Sequence, residues 1–159
     1  MRSLRTKIKE REELQGIVDG LKKEGKRICF TNGCFDILHQ GHVLYLEEAR
    51  QQGDCLIVGV NTDSSVREIK GEKKPIVSLE GRMTVLAALE AVDYVVPFDE
   101  PDPFAIISSL RPHVLVKGGD WEEGEVVGRE LVEQTILIPY IEGASTSGII
   151  TTILQRHAS

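Results

Sequence analysis

Apolar positions fall along the chain in two alternating rhythms. Near the N-terminus, Ile8, Leu14, Ile17, Val18 and Leu21 recur at helical spacing ahead of Gly25, which predicts an amphipathic helix. Short, nearly continuous apolar runs follow at 27–30, 55–60, 94–96, 114–116 and 136–138. Such runs suit strands buried on both faces. Between most of them lie segments with helical periodicity, at 43–52, 79–91, 104–110 and 124–134, and a last one at 146–156. Strands alternating with helices require right-handed crossovers and a parallel sheet covered on both sides. The pattern therefore predicts a single doubly wound, Rossmann-like α/β domain with a five-stranded parallel sheet over residues 26–159, and an extra helical segment over residues 1–25 in front of it.

Composition narrows the class. A chain of 159 residues has room for one core and not for two ordinary domains. It is 41% hydrophobic and 28% charged, as soluble globular proteins are. No apolar run approaches the roughly 20 residues that span a bilayer. The opening MRSLRTKIKEREEL is charged and lacks the apolar centre of a signal peptide, so a cytoplasmic protein without a membrane partner is expected. Cys29, Cys34 and Cys55 form neither a closed disulfide set nor a usual zinc pattern, which favours reduced thiols. The net charge of −6 argues against a nucleic-acid-binding face. It leaves room for an anionic small ligand, because helix N-termini and a few local cations hold a phosphate inside an acidic protein.

The chemistry concentrates in TNGCFDILHQGH, residues 31–42. This stretch leaves the first strand of the sheet at the rim where open α/β sheets bind ligands. No GxGxxG follows the strand and no GxxxxGK[ST] occurs anywhere, so dinucleotide and P-loop readings lose support. With a helix starting near Gln40 or Gly41, His39 lies at its cap and His42 in its first turn, on one face. Gly41 would let a phosphate approach the backbone, where free N–H groups and the helix dipole favour an anion. Spacing alone leaves two readings open: a phosphate site, or two partly solvated histidines at a helix start.

GCFDILHQGHVLYLEEAR resembles the signature of the HxGH nucleotidyltransferase superfamily, in its cytidylyltransferase-like branch. The similarity runs from about residue 26 to 156, through VGVNTDSSV, GEKKPIVSLEGRMTVLAALEAVDYVVPF, RPHVLVKGGDW and EGASTSGIITTIL, in the branch's order. Within it, these segments are most similar to the adenylyltransferases that make ADP-heptose from a heptose 1-phosphate for the lipopolysaccharide core. The resemblance implies that residues 26–159 form a nucleotidyltransferase domain, with ATP and a sugar phosphate as substrates. It also brings in a homodimer and a separate heptose kinase as partners to look for, since many bacteria fuse this activity to a sugar-kinase domain.

The implied reaction fits the residues. A sugar phosphate is already largely dianionic near neutral pH, so its attack on the α-phosphorus of ATP needs no general base. It needs positioning and charge stabilisation. The resemblance gives that work to His39, His42 and Lys74, with Lys73 a weaker candidate in what otherwise reads as a solvated charge run. Nucleotide contacts are implied for Gly33, Cys34, Phe35, Asp36, Gly41, Lys117, Gly118 and Asp120, and for Ser145, Thr146 and Ser147, which also suit a helix cap. Phe35 serves equally as core, and Asp36 is expected to orient the histidine loop. Arg82 and Trp121 are implied weakly as substrate contacts, a surface ion pair and a core cover being their plain alternatives. Asp63 is expected to cap the helix after the second strand, and His113 and His157 to be structural or solvated. Mg²⁺ is expected to arrive with ATP, since the chain supplies no carboxylate cage.

Two departures bear on the substrate. Ser147-Gly148 stands where heptose enzymes commonly show Thr-Asn. YIEG, with Tyr140, stands where glycerol 3-phosphate cytidylyltransferases carry an arginine in an RTEG-like stretch. The second departure and KGGDW favour the heptose group over a cytidylyltransferase for an alcohol phosphate. A class I aminoacyl-tRNA synthetase shares the HxGH idea but needs tRNA-reading domains for which this chain has no room. A non-catalytic nucleotide sensor is the remaining alternative.

Overall fold

A computed structural model describes residues 1–119 and 122–158. Five strands, β1 (Ile28–Gly33), β2 (Cys55–Asn61), β3 (Tyr94–Phe98), β4 (Val114–Gly118) and β5 (Gln134–Ile138), form one sheet in the order β3-β2-β1-β4-β5. Every pairing is parallel. Six helices accompany them: α1 (Arg11–Lys23), α2 (Gln40–Arg50), α3 (Asp63–Lys70), α4 (Leu79–Ala88), α5 (Phe104–Leu110) and α6 (Thr146–His157). Among the described residues no helix is long and apolar enough to cross a membrane.

The period-2 alternation of the strands distributes the core. On one face Cys29, Leu56, Val58 and Val60 pack with Leu46 and Ala49 of α2 and Leu86 of α4. On the other, Ile28, Phe30 and Ile57 pack with Leu14 and Val18 of α1 and Ile106, Ile107 and Leu110 of α5. All seven residues of β2 are buried, which is why that strand reads as a continuous apolar run.

Three local expectations change. Residues 124–134 do not form a helix. They make two short 3-10 turns, Glu123–Glu125 and Arg129–Leu131, and enter β5 at Gln134. Gly128 sits between the turns at φ 90°, a left-handed conformation that stops helix propagation. Its hydrogen lies against Ile107, where a Cβ would approach Cδ1 to 2.8 Å. Helix α3 is too short and polar to show a long apolar period. Its cap is Thr62, whose hydroxyl accepts from the Ser65 N–H, and not Asp63. The third change concerns α4, which stops at Ala88 rather than near 91.

Helix α6 stands apart from the core. None of its 12 residues is buried, and Ile153 and Leu154 are exposed.

Candidate active site

The strand order reverses between β1 and β4, and a cavity of about 480 Å³ opens beyond their carboxyl ends, between Gly33 and Gly118. The stretch 31–42 forms one wall. His39 is the N-cap of α2 in extended backbone, and its Nδ1 accepts the Gly41 N–H at 3.1 Å. The His39 N–H in turn donates to Nδ1 of His42 at 3.2 Å. The two rings cap the helix reciprocally, in the manner of a capping box, with centroids 4.0 Å apart. With both Nδ1 atoms accepting, the proton of each neutral ring sits on Nε2, leaving two outward N–H donors at a helix N-terminus. Burial pushes His42 down to about 4, His39 adding repulsion, and burial also lowers His39. The rings are therefore neutral donors near pH 7 until an anion arrives.

The histidines face adjoining hollows. His42 lines the main cavity, and His39 lines a second one of about 440 Å³ between the N-termini of α2 and α6, with Ser145 and Gly148. Gly41 makes room for the ring. A Cβ there would stand 2.9 Å from His39 Cε1 and 3.0 Å from Ala144 Cβ, so its small size lets the His39 ring and the 144 segment close on the helix start.

Asp36 ties three segments together. Its buried carboxylate accepts the Ile76 and Val77 N–H groups at 2.8 and 2.9 Å, and its carbonyl accepts the Thr146 hydroxyl at 2.6 Å. It thereby fixes the loop that carries Lys74 more directly than it orients the histidines. Lys74 lines the cavity and Lys73 does not. Phe35 belongs to the core and also lines the cavity, its ring 5.6 Å from that of His42. Gly33 allows this, since a Cβ there would meet Phe35 Cε2 at 3.0 Å.

Lys117, Gly118 and Thr146 line the opposite side of the mouth, where burial draws the Lys117 ammonium below its ordinary range. Cys34 lines the cavity with its thiol pushed up by burial, so it is a neutral wall and not a thiolate. Ser145 caps α6 by accepting the Gly148 N–H at 2.9 Å. Ser147 is exposed and lines neither hollow. Asp120 and Trp121 lie outside the described residues.

Arg82 departs most from expectation. It is 1% exposed and donates to the carbonyls of Val77, Cys34 and Asn61 and to the Asp63 carboxylate at 2.7 Å. It pins the loops after β1, β2 and the Lys74 segment from beneath, rather than reaching a substrate. His113 is structural, its Nδ1 accepting the Ile28 N–H, and His157 is exposed.

Sequence reasoning missed Asn32, Tyr45, Asn61 and Lys70 on the cavity wall. Tyr45 had a signal, because it lies three residues after His42 on the same helix face. Its hydroxyl donates to the Val116 carbonyl at 3.1 Å and pairs with Thr31 at 2.6 Å, joining β1, β4 and α2 under the site.

The arrangement gathers ring N–H donors, a helix N-terminus and the side chains of Lys74 and Lys117 around the cavity mouth. A family model described as cytidylyltransferase-like matches residues 30–156. The chain belongs to the cytidylyltransferase-like family. It is thus a nucleotidyltransferase by family. Among curated relatives, the bifunctional protein HldE of Pelobacter propionicus is 49% identical over 157 residues, 96% of this chain and 32% of the relative. That of Wolinella succinogenes is 54% identical over 147 residues, 92% of this chain and 31% of the relative. The chain therefore spans about a third of the length of these relatives. A lipopolysaccharide core biosynthesis protein from Thermoplasma volcanium superposes with a TM-score of 0.63 at 27% identity, over 76% of this chain and all of that one. A pantoate-beta-alanine ligase from Francisella tularensis shares the fold at a TM-score of 0.62 and 15% identity, over 91% of this chain and 76% of that one.

Proposed function

We propose that this chain transfers AMP from ATP to a heptose 1-phosphate, giving ADP-heptose and pyrophosphate. The observation that carries the reading is the reciprocal His39–His42 cap, which sets two neutral N–H donors at a helix N-terminus, His42 on the switch-point cavity and His39 on the hollow beside it. Departing pyrophosphate sits against these donors, and Lys74 and Lys117 hold the remaining phosphate charge. A sugar-phosphate oxygen attacks the α-phosphorus as the bond to pyrophosphate breaks. No proton needs to be removed and no covalent intermediate forms. The name of the Thermoplasma volcanium neighbour and the absence of an arginine at Tyr140 support a sugar phosphate over an alcohol phosphate.

Among the described residues no group of three or more His, Cys, Asp or Glu side chains is placed to hold a metal ion, and the Asp36 carboxylate is occupied by backbone N–H groups. Mg²⁺ would enter on the phosphates of ATP and would neutralise charge there.

Residues 26–159 are read as the transferase domain, working in the cytoplasm where ATP is available. A separate heptose kinase supplies the sugar 1-phosphate. The exposed apolar side of α6 suits a homodimer contact.

Pyrophosphate release with ATP and CTP crossed against heptose 1-phosphate and glycerol 3-phosphate tests the reading. ATP with heptose 1-phosphate is expected to lead, and excess chelator to abolish turnover. Faster turnover of CTP with glycerol 3-phosphate would favour the cytidylyltransferase alternative. Nucleotide binding without pyrophosphate from any pair would favour a sensor.

A further inference from the structure

We infer that the side-chain amide of Asn32 pairs with a hydroxyl of the incoming sugar and sets which sugar phosphate the site accepts; this rests on the transfer reaction proposed above. Asn32 belongs to the last turn of pleat in β1, where the strand meets the cavity. Its Oδ1 is, among the described residues, the one buried side-chain nitrogen or oxygen without a hydrogen-bond partner. Buried polar atoms are almost always paired, and an exception in a ligand cavity points to a missing ligand atom.

Chemistry restricts the partner. A carbonyl oxygen needs a donor, and ionised phosphate oxygens only accept. The partner is therefore a hydroxyl or an amino group.

Strand geometry indicates which substrate brings it. Successive side chains of β1 point to opposite faces. Thr31 reaches Tyr45 of α2, so Asn32 faces the other side of the sheet, as Phe30 does in its packing with α1 and α5. On that side the cavity wall includes Pro101, Pro103, Val126 and Val127, beside the carboxylates of Asp102 and Glu125. The donors for pyrophosphate, at the start of α2, lie toward the α2 side. Attacking and leaving oxygens stand roughly in line across the α-phosphorus. The attacking sugar phosphate consequently lies on the Asn32 side, where Asn32 Oδ1 is, among the described residues, the one buried side-chain acceptor left unpaired.

Asn32→Leu, close in volume, and Asn32→Ala test this against four readouts: ATP dissociation constant, kcat, KM for heptose 1-phosphate, and thermal midpoint. Discrimination between heptose 1-phosphate and its monodeoxy analogues is measured alongside. A site built to pair a hydroxyl rejects the analogue lacking it by about 10⁴-fold or more, and an imperfectly enclosed one by less. We expect kcat/KM for heptose 1-phosphate to fall about 10²-fold, mostly through KM, with ATP affinity within about twofold of wild type. One monodeoxy analogue, poor with the wild type, should equal the parent sugar on the variants. The thermal midpoint should not fall, because an unpaired oxygen holds nothing together. A structural role would lower the midpoint and spare the discrimination, and that result overturns the proposal. So does weakened ATP binding with unchanged sugar discrimination, which would assign the amide to the nucleotide. A wild-type protein that binds ATP but turns over no sugar phosphate overturns the transfer reading and this one with it. An active wild type whose sugar preference survives both substitutions overturns this one alone.

Discussion

In the proposed transfer, much of the chemistry falls to one side chain, His42. Its Nδ1 is held by the His39 N–H, so Nε2–H is the atom left to meet phosphate. Its basicity is pushed down to about 4, chiefly by burial. A neutral donor binds ground-state ATP weakly and gains most as charge develops on the departing pyrophosphate, which is the condition for accelerating a step. His42→Ala should therefore lower the single-turnover rate by about 10²–10³-fold, while the ATP dissociation constant moves little. A near-wild-type rate in the folded variant would reduce the histidine to a helix cap. His39→Ala belongs to the same unit, so the double variant should lose less than the product of the single losses.

At the scale of elements, the loop after β1 is strained and pinned. Phe35 and Ile37, on either side of Asp36, lie at φ 50° and 48°, where non-glycine residues are disfavoured. The Asp36 carboxylate and the Arg82 guanidinium hold them there through bonds to the 76–77 backbone and to the Cys34 carbonyl. Asp36→Asn keeps the size but replaces one acceptor by a donor facing a backbone N–H. Hydrogen bonds to a charged group contribute about 1.5–3 kcal/mol each, so stability should fall by about that amount. Amide exchange at Ile76 and Val77 should quicken and ATP affinity weaken as Lys74 loosens. Unchanged exchange at those two amides would refute the clasp. The physics also explains what could be read in advance. Strands were legible because burial on both faces makes them apolar throughout; the place of His39 and His42 at a helix start was legible from their spacing, and that of Lys74 on the cavity only from the family resemblance. Arg82 was not legible, since an arginine on a helix ordinarily reads as surface and only tertiary structure supplies its carbonyl partners. Asn32 was hidden for a related reason: in sequence it is one polar residue at a strand end, and its unpaired oxygen exists only in the folded cavity. Residues 124–134 misled because Val126, Leu131 and Val132 mimic a helical period that Gly128 interrupts.

For the whole molecule, the question is whether residues 1–25 are an appendage or part of the one core. Leu14 and Val18 of α1 are fully buried against Ile28 and Ile57 of the sheet and Ile107 of α5. Ahead of α1, Ile8 forms a parallel bridge to Val95, and the Lys9 N–H donates to the Val95 carbonyl at 2.9 Å. The segment thus covers one face and adds to the free edge of β3, an edge that would otherwise invite other strands. Its ionic contact is of lesser weight: Arg11 meets Glu100 at 3.1 and 3.0 Å, but both side chains are partly exposed. Exposed pairs contribute about 0–1 kcal/mol, whereas truncating a buried leucine costs about 2–5 kcal/mol. Leu14→Ala should therefore lower the urea midpoint far more than Arg11→Ala. In the cold, where the variant remains folded, ATP affinity should be unchanged, because α1 contributes no residue to the cavity wall. If Leu14→Ala were as mild as Arg11→Ala, the N-terminal helix would be an appendage, and residues 26–159 would fold without it.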